Sequence, residues 1–396
     1  MNWSFLKGIK TNVIVLGIAS FLNDVSSEMI FPILPVFLRA VMGVGTEIIG
    51  IIEGIADSAS SLLDIFIGYL SDMRFKRKDF VIAGYSISSI SKLGIALSNT
   101  WPAVLIFRAA DRFGKSVRTS PRDAIIAASA LSAVRGKAFG LHRAMDTMGA
   151  IVGPLVAYGI LSIIGNSPEG YRTVFLLASI PAFLVLIVLF FFLKEPKKVQ
   201  TNKNQKAKRL NFWQSLQQLS NTYKRYLLVS GIFSLSYFSF ALLIVRANDI
   251  GILPQDILLI YVLYNIVYTL LSMPIGSLSD HIGRKPMIIA SFLLYALVMI
   301  GFAYLSALWQ LAVLFVLYAI FVAADETVNK AYISDLTSDK TRGIGLGAYN
   351  SAMAAVYLPA SVLFGTGWAM FGAQTAFLAA ASLAIVASLA MILYVK

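Results

Sequence analysis

The chain has 396 residues, 58% hydrophobic and only 13% charged, with no cysteine, two histidines and a formal net charge of +13. Soluble chains run at about 45–50% apolar and about 25% charged, so an ordinary soluble domain is excluded, and the lack of cysteine excludes disulfide scaffolding and thiolate metal sites. The basic residues stand singly between apolar blocks rather than in one patch, which excludes a nucleic-acid-binding domain.

In chain order the apolar blocks run at about 11–39, 46–72, 79–99, 101–122, 137–165 and 172–193. After a polar stretch they resume at about 226–247, 255–280, 286–305, 308–333, 343–367 and 372–395. A spanning helix needs about 20 mostly apolar residues, so twelve would use roughly 240–280. The expectation is an all-α membrane protein of twelve transmembrane helices. Lys7 and Lys10 before the first block imitate a signal peptide. The block continues through Asn23, Asp24 and Glu28 without a small-residue cleavage site, so it is read as a retained first span. Turn signals fall between blocks, at Thr100 to Pro102 and at Asn166 to Gly170.

Positive residues set the expected orientation. With the N-terminus inside, the cytoplasmic segments hold Lys7 and Lys10, then Arg74, Lys76, Arg77 and Lys78, then Lys115, Arg118, Arg122, Arg135 and Lys137. Later ones hold Arg284, Lys285, Lys330, Lys340, Arg342 and Lys396, against Arg39, Arg172 and Arg246 on the other side. Both termini are therefore expected in the cytoplasm of a prokaryotic cell, the chain lying in its inner or plasma membrane. The positive charge adds attraction to anionic lipid headgroups. The basic stretch 194–225 reads as a solvated linker between a bundle of residues 1–193 and a bundle of residues 226–396.

The two halves carry a repeat. Gly68 to Asp72 (Gly-Tyr-Leu-Ser-Asp) recurs as Gly276 to Asp280 (Gly-Ser-Leu-Ser-Asp), an offset of 208. Arg135, Gly136 and Gly140 recur as Arg342, Gly343 and Gly347, an offset of 207. Parallel six-helix repeats belong to secondary transporters, with the substrate path between the halves.

The segment from Gly276 through Asp280, Gly283 and Arg284 to Lys285 resembles the G-x-L-x-D-x-x-G-R-K/R loop signature of the major facilitator superfamily. Gly68 and Asp72 begin its counterpart, which has Phe75 where the loop glycine belongs. The resemblance implies the major facilitator fold, two pseudo-symmetric six-helix bundles, and a conformational latch formed by Gly68, Asp72, Gly276, Asp280, Gly283 and Arg284. Gly149, Gly153 and Pro154 are similar to the G-x-x-x-G-P part of a motif of the antiporter branches, although Ala157 and Tyr158 replace its closing glycines. Physically, the two glycines make a flat helix-packing surface and the proline adds a bend. Arg108 matches the arginine of the R-x-x-Q-G-x-G motif of proton-coupled exporters, with Asp111 and Arg112 in place of Gln and Gly and with Gly114 retained. The resemblance gives that arginine a part in proton transfer, and either Arg108 or Arg112 can fill it.

Ionisable residues inside spans cost at least about 2.5–3.5 kcal/mol each and are functional candidates by default. Asp24 and Glu28 lie four apart on one face of the first span, and Glu53 and Asp57 four apart on the second. With Arg108 and Arg112 they are the expected proton-coupling group. Lys92, His142, Arg143 and Asp146 complete the charge of the first half. The second half is nearly bare, and its expected substrate-lining residues are Tyr237, Phe238, Tyr261, Tyr264, Asn265, Tyr268 and Asn350.

The function expected from these residues is a monomeric, proton-coupled carrier that exports a small amphipathic organic solute by alternating access, with membrane lipid, substrate and protons as its partners and no cofactor or bound metal. One alternative is an organic-anion importer or exchanger using Arg108, Arg112 and Lys92. Another is a divalent-metal exporter with an oxygen site of Asp24, Glu28 and Asp57. A membrane enzyme would need a nucleophile, base or metal constellation that the residues do not supply, and a sensor would normally carry an appended soluble domain.

Overall fold

The computed structural model describes residues 8, 10–58, 76–131, 134–195, 219–338 and 341–395. Asp64, Gly68, Asp72 and most of the linker lie outside the described residues. Helices dominate those described. We number them α1 Thr11–Val41, α2 46–58, α3 Arg77–Leu97, α4 Trp101–Ala128, α5 Arg135–Ile164 and α6 Pro168–Phe192. They continue as α7 Asn221–Asp249, α8 Pro254–Ile282, α9 Arg284–Ala303, α10 Leu308–Asp335, α11 Arg342–Phe371 and α12 Ala373–Tyr394. Helix suits such runs because lipid offers no partner to backbone N–H and C=O groups, which a helix satisfies within itself.

Breaks fall where the sequence supplies a cap or a bend. In α1 the regular helix stops at Ile30, directly before a turn at 31–33 that holds Pro32, and resumes at Leu34. In α7 an extended link at 237–239 separates Asn221–Ser236 from Phe240–Asp249, and Ser239 Oγ caps the second piece by accepting from Ala241 N at 3.3 Å. Gly372 joins α11 to α12 at φ 83°, a conformation in which a side chain would be strained.

Among the described residues, ten helices are long and apolar enough to cross a membrane by length and composition. Of the others, α2 is described only as far as residue 58, and α4 carries Arg108, Asp111, Arg112, Lys115, Arg118, Arg122 and Asp123. The sequence reading ended this span near Arg122 and counted Lys115 with the cytoplasmic residues. The helix instead runs to Ala128 through Pro121, so Lys115 stands at its middle.

The described residues fall into two compact units. One draws on Met1–Val44, Ile55–Lys197 and Leu253–Val262, the other on Gly45–Gly54, Lys198–Ile252 and Leu263–Lys396. In the first, α1 packs on α5 and α6, and α3 packs on α4 and α6. Leu16, Ala19, Val81, Tyr85, Ile125, Ala138, Val185 and Leu189 form a core there. In the second, α7 packs on α11 and α12, and α9 packs on α10 and α12. Its core is aromatic: Phe233 stacks on Phe292 at 3.9 Å between ring centroids and meets Tyr295 edge-on at 5.2 Å.

Close helix contacts run through glycine. A Cβ on Gly84 of α3 would stand 2.6 Å from Gly114 O of α4, and one on Gly114 would stand 2.6 Å from Gly84 O. In the second unit a Cβ on Gly54 of α2 would meet Leu358 and Ser361 of α11, the first at 3.0 Å. Thr46 Oγ1 donates to Gly365 O there at 2.9 Å.

Candidate functional site

The first unit gathers most of the charge. Asp24 and Glu28 sit on the α1 face that meets α5, because Gly149 and Gly153 bring the α5 backbone against them. A Cβ at Gly149 would lie 2.6 Å from Phe21 O and 2.8 Å from Asp24 Cβ. One at Gly153 would lie 2.6 Å from Val25 O and 3.0 Å from Glu28 Cβ. The spacing of four that aligns the acids on α1 thus matches the spacing of four that aligns the glycines on α5.

Asp146, one turn before Gly149, shares that interface. Its carboxyl stands beside the Asp24 carboxyl, the two held by separate donors. Ser20 Oγ donates to Asp146 Oδ1 at 2.7 Å, and Arg143 Nη1 lies 3.4 Å from Oδ2. Two carboxylates at one interface repel each other when both are ionised, so such a pair is a natural place for a shared proton. The sequence reading left Asp146 out of the coupling group. Its three-residue spacing from Gly149 was the available signal that it faces α1.

The other charges have definite partners. Glu28 Oε2 accepts from Tyr261 Oη at 2.7 Å, and Asn23 Nδ2 donates to Asp24 Oδ1 at 3.1 Å. Lys92, 1% exposed, donates to Asn23 O and Asn23 Oδ1, each at 3.1 Å. Arg112 Nε lies 3.3 Å from Asp57 Oδ1. Arg108, 3% exposed, lies 3.8 Å from Asp111 Oδ2 and over the Phe31 ring at 5.4 Å. Arg118 donates to Ser88 Oγ at 2.6 Å and lies over Tyr85 at 4.5 Å. Arg122 pairs with Asp123 at 2.9 Å. Asp24, Glu28, Asp57, Arg108 and Arg112 all belong to the first unit, whereas Glu53, buried, belongs to the second.

Of the expected substrate-lining residues, Tyr261 lies in the first unit against Glu28 and the others in the second. Tyr237 contacts Phe233, Tyr295, Phe321 and Tyr357 through their rings. Phe238, 3% exposed, is stacked on Phe364. Tyr264 and Tyr268 stack at 6.3 Å, and Tyr268 Oη donates to Glu326 Oε2 at 2.7 Å. Asn265 is buried and Asn350 exposed.

At the α8–α9 junction Gly283 adopts φ 101°, which turns the chain and starts α9 at Arg284. The Arg284 guanidinium pairs with Asp280, donates to Ser279 Oγ, and lies 3.4 Å from Asp335 Oδ2 at the end of α10. One side chain therefore ties three helix ends together. Asp335 has no place in the loop signature.

Comparison with known proteins agrees with this architecture. The Major Facilitator Superfamily profile matches residues 16–245 and 226–396. An uncharacterized MFS-type transporter of Methanocaldococcus jannaschii is 39% identical over 390 residues, covering 97% of this chain and 95% of that protein. The multidrug resistance protein MdtG of Dickeya zeae is 24% identical over 403 residues, covering 95% of this chain and 92% of that one. Among solved structures, a mutant of the nucleoside transporter NupG superposes with a TM-score of 0.82 at 15% identity, covering 97% of this chain and 100% of that one. A D-xylose-proton symporter gives 0.76 at 19% identity, covering 98% of each chain.

Proposed function

Because the chain belongs to the major facilitator superfamily, and is thus a multi-pass integral membrane transporter, we propose that it moves a small organic solute by alternating access, coupled to protons. The observation that carries the coupling is that Asp24 and Asp146 face each other at the α1–α5 interface, beside Gly149 and Ser20, where a pair of acids can share a proton. Glu28, Asp57, Arg108 and Arg112 of the same unit are proposed members of the coupling group, and Glu53, in the second unit, is a further candidate.

Export is the direction favoured by the Gly149, Gly153 and Pro154 motif and by the resemblance to a multidrug resistance protein. Twelve spans in two six-helix halves, 1–193 and 226–396, are supported by the sequence repeat and by the like pairing of α1, α3, α5 and α6 with α7, α9, α11 and α12. We assign the basic linker 194–225 and both termini to the cytoplasm, and we read the protein as a monomer. The latch is proposed at Gly276, Asp280, Gly283 and Arg284, with Gly68 and Asp72 as its first-half counterpart. Tyr264, Tyr268 and Asn350 are the favoured solute contacts of the second unit.

The test is uphill transport in vesicles with an imposed pH gradient. Asp24→Asn and Asp146→Asn are each expected to abolish uphill movement while solute counterflow persists. Parental uphill rates in both single variants and in the double variant would end the coupling proposal.

A further inference from the structure

We infer that the transported solute carries an anionic group, a carboxylate or a phosphate, and that the Lys115 ammonium receives it. This rests on the transporter reading and names the chemistry of its cargo. Lys115 stands at the middle of α4, a helix of 28 residues, and with α4 taken as one of the twelve proposed spans it falls near mid-membrane whichever way the helix points. Its side chain is exposed.

The exposed apolar residues of the same helix, Ile106 at 65% and Phe113 at 38%, show where lipid is. At about 100° per residue they fall roughly 160–180° around the helix from Lys115. Arg108, Arg112, Thr119 and Arg122 fall within about 60° of it. An exposed lysine at this depth, opposite the lipid face, therefore lines water. Contact with hydrocarbon would cost at least about 2.5–3.5 kcal/mol.

What singles out Lys115 on this helix is that its ammonium has no hydrogen-bond or ion-pair partner among the described residues. Arg108 has Asp111 and Phe31, Arg112 has Asp57, Arg118 has Ser88 and Tyr85, Arg122 has Asp123, and Lys92 has Asn23. Among the described residues, the Lys115 ammonium makes no hydrogen bond or ion pair. Asp24 of α1 and Asp146 of α5 act on it only through space, and Arg112 and Arg118 flank it with further positive charge. A cationic solute would meet repulsion there, and a neutral one would leave the ammonium unanswered. An anion satisfies it and gains from both flanking guanidinium groups.

The test uses the purified full chain and three probes with one ring system: 1-naphthoate, 1-naphthamide and 1-naphthylmethylamine. Each is titrated against the melting temperature of the parent, Lys115→Gln and Lys115→Arg. The unliganded melting temperature reports folding separately. Only 1-naphthoate is expected to stabilise the parent. Its apparent affinity should fall on the order of tenfold or more in Lys115→Gln, the loss of one charge-assisted hydrogen bond, and largely survive in Lys115→Arg. Equal stabilisation by the amide or amine overturns the inference. So does naphthoate binding that Lys115→Gln leaves unchanged, or the absence of any naphthoate effect up to its solubility limit. Parental uphill rates in the Asp24 and Asp146 variants would end the coupling proposal and leave this binding result as it is, so the two readings fail separately.

Discussion

Gly149 and Gly153 matter through what they allow α1 to do rather than through their own backbone freedom. Each sits inside a regular helix, and each would drive a Cβ to within 2.6 Å of an α1 carbonyl oxygen. Gly159, on the same helix, has nothing within 4 Å of a built Cβ. Gly149→Leu is therefore expected to cost at least about 1–3 kcal/mol through overpacking and to lower the melting temperature, while Gly159→Leu leaves it near the parent. Equal melting of the two variants would show that the contact is not tight. The glycine pair was legible in the sequence because its spacing survives any packing arrangement. The Asp24–Asp146 pair was not, because a carboxylate on one span gives no sign of which neighbour it will face. Lys115 was misassigned for a related reason: seven charged residues and Pro121 made the end of α4 look like a loop, whereas the charges share one face of a continuous helix.

At the scale of elements, the α8–α9 junction shows how a short motif becomes a mechanical part. Gly276 and Ser279 supply acceptors near the end of α8, Gly283 makes the turn, and Arg284 gathers Asp280 and Asp335 at the first turn of α9. The two carboxylates also lie near the N-terminal end of α9, where negative charge is favoured by the helix dipole. Asp280→Asn and Asp335→Asn are expected to slow turnover several-fold, with a shift of up to about tenfold in the balance between conformations, and to leave solute affinity close to the parent. Unchanged turnover in both variants, measured in vesicles, would count against the latch. The motif itself was readable from residue order. Asp335 was not, since it comes from the far end of α10 and reaches Arg284 only after the helices pack.

For the whole molecule the first question is sidedness. Positive residues gather in the segments assigned to the cytoplasm, most of all in the linker that contains Lys203. A Lys203→Cys variant in the otherwise cysteine-free chain is expected to resist an impermeant maleimide added to intact cells and to react after permeabilisation. Efficient labelling from outside would reverse the topology. Hydrophobic run length alone determined that the chain is helical and membrane-embedded, because a backbone in lipid has few ways to satisfy its polar groups. Residue order alone carried the loop signature, the internal repeat and the G-x-x-x-G face. Only the tertiary structure decided that α2 and α8 each divide between two compact units, that Tyr261 answers Glu28 across the chain, that Asp146 faces the α1 side that carries Asp24, and that Lys115 has no hydrogen-bond or ion-pair partner among the described residues. Those facts depend on which faces meet, and polar contacts act over a few ångströms between residues that can be more than two hundred positions apart in the chain.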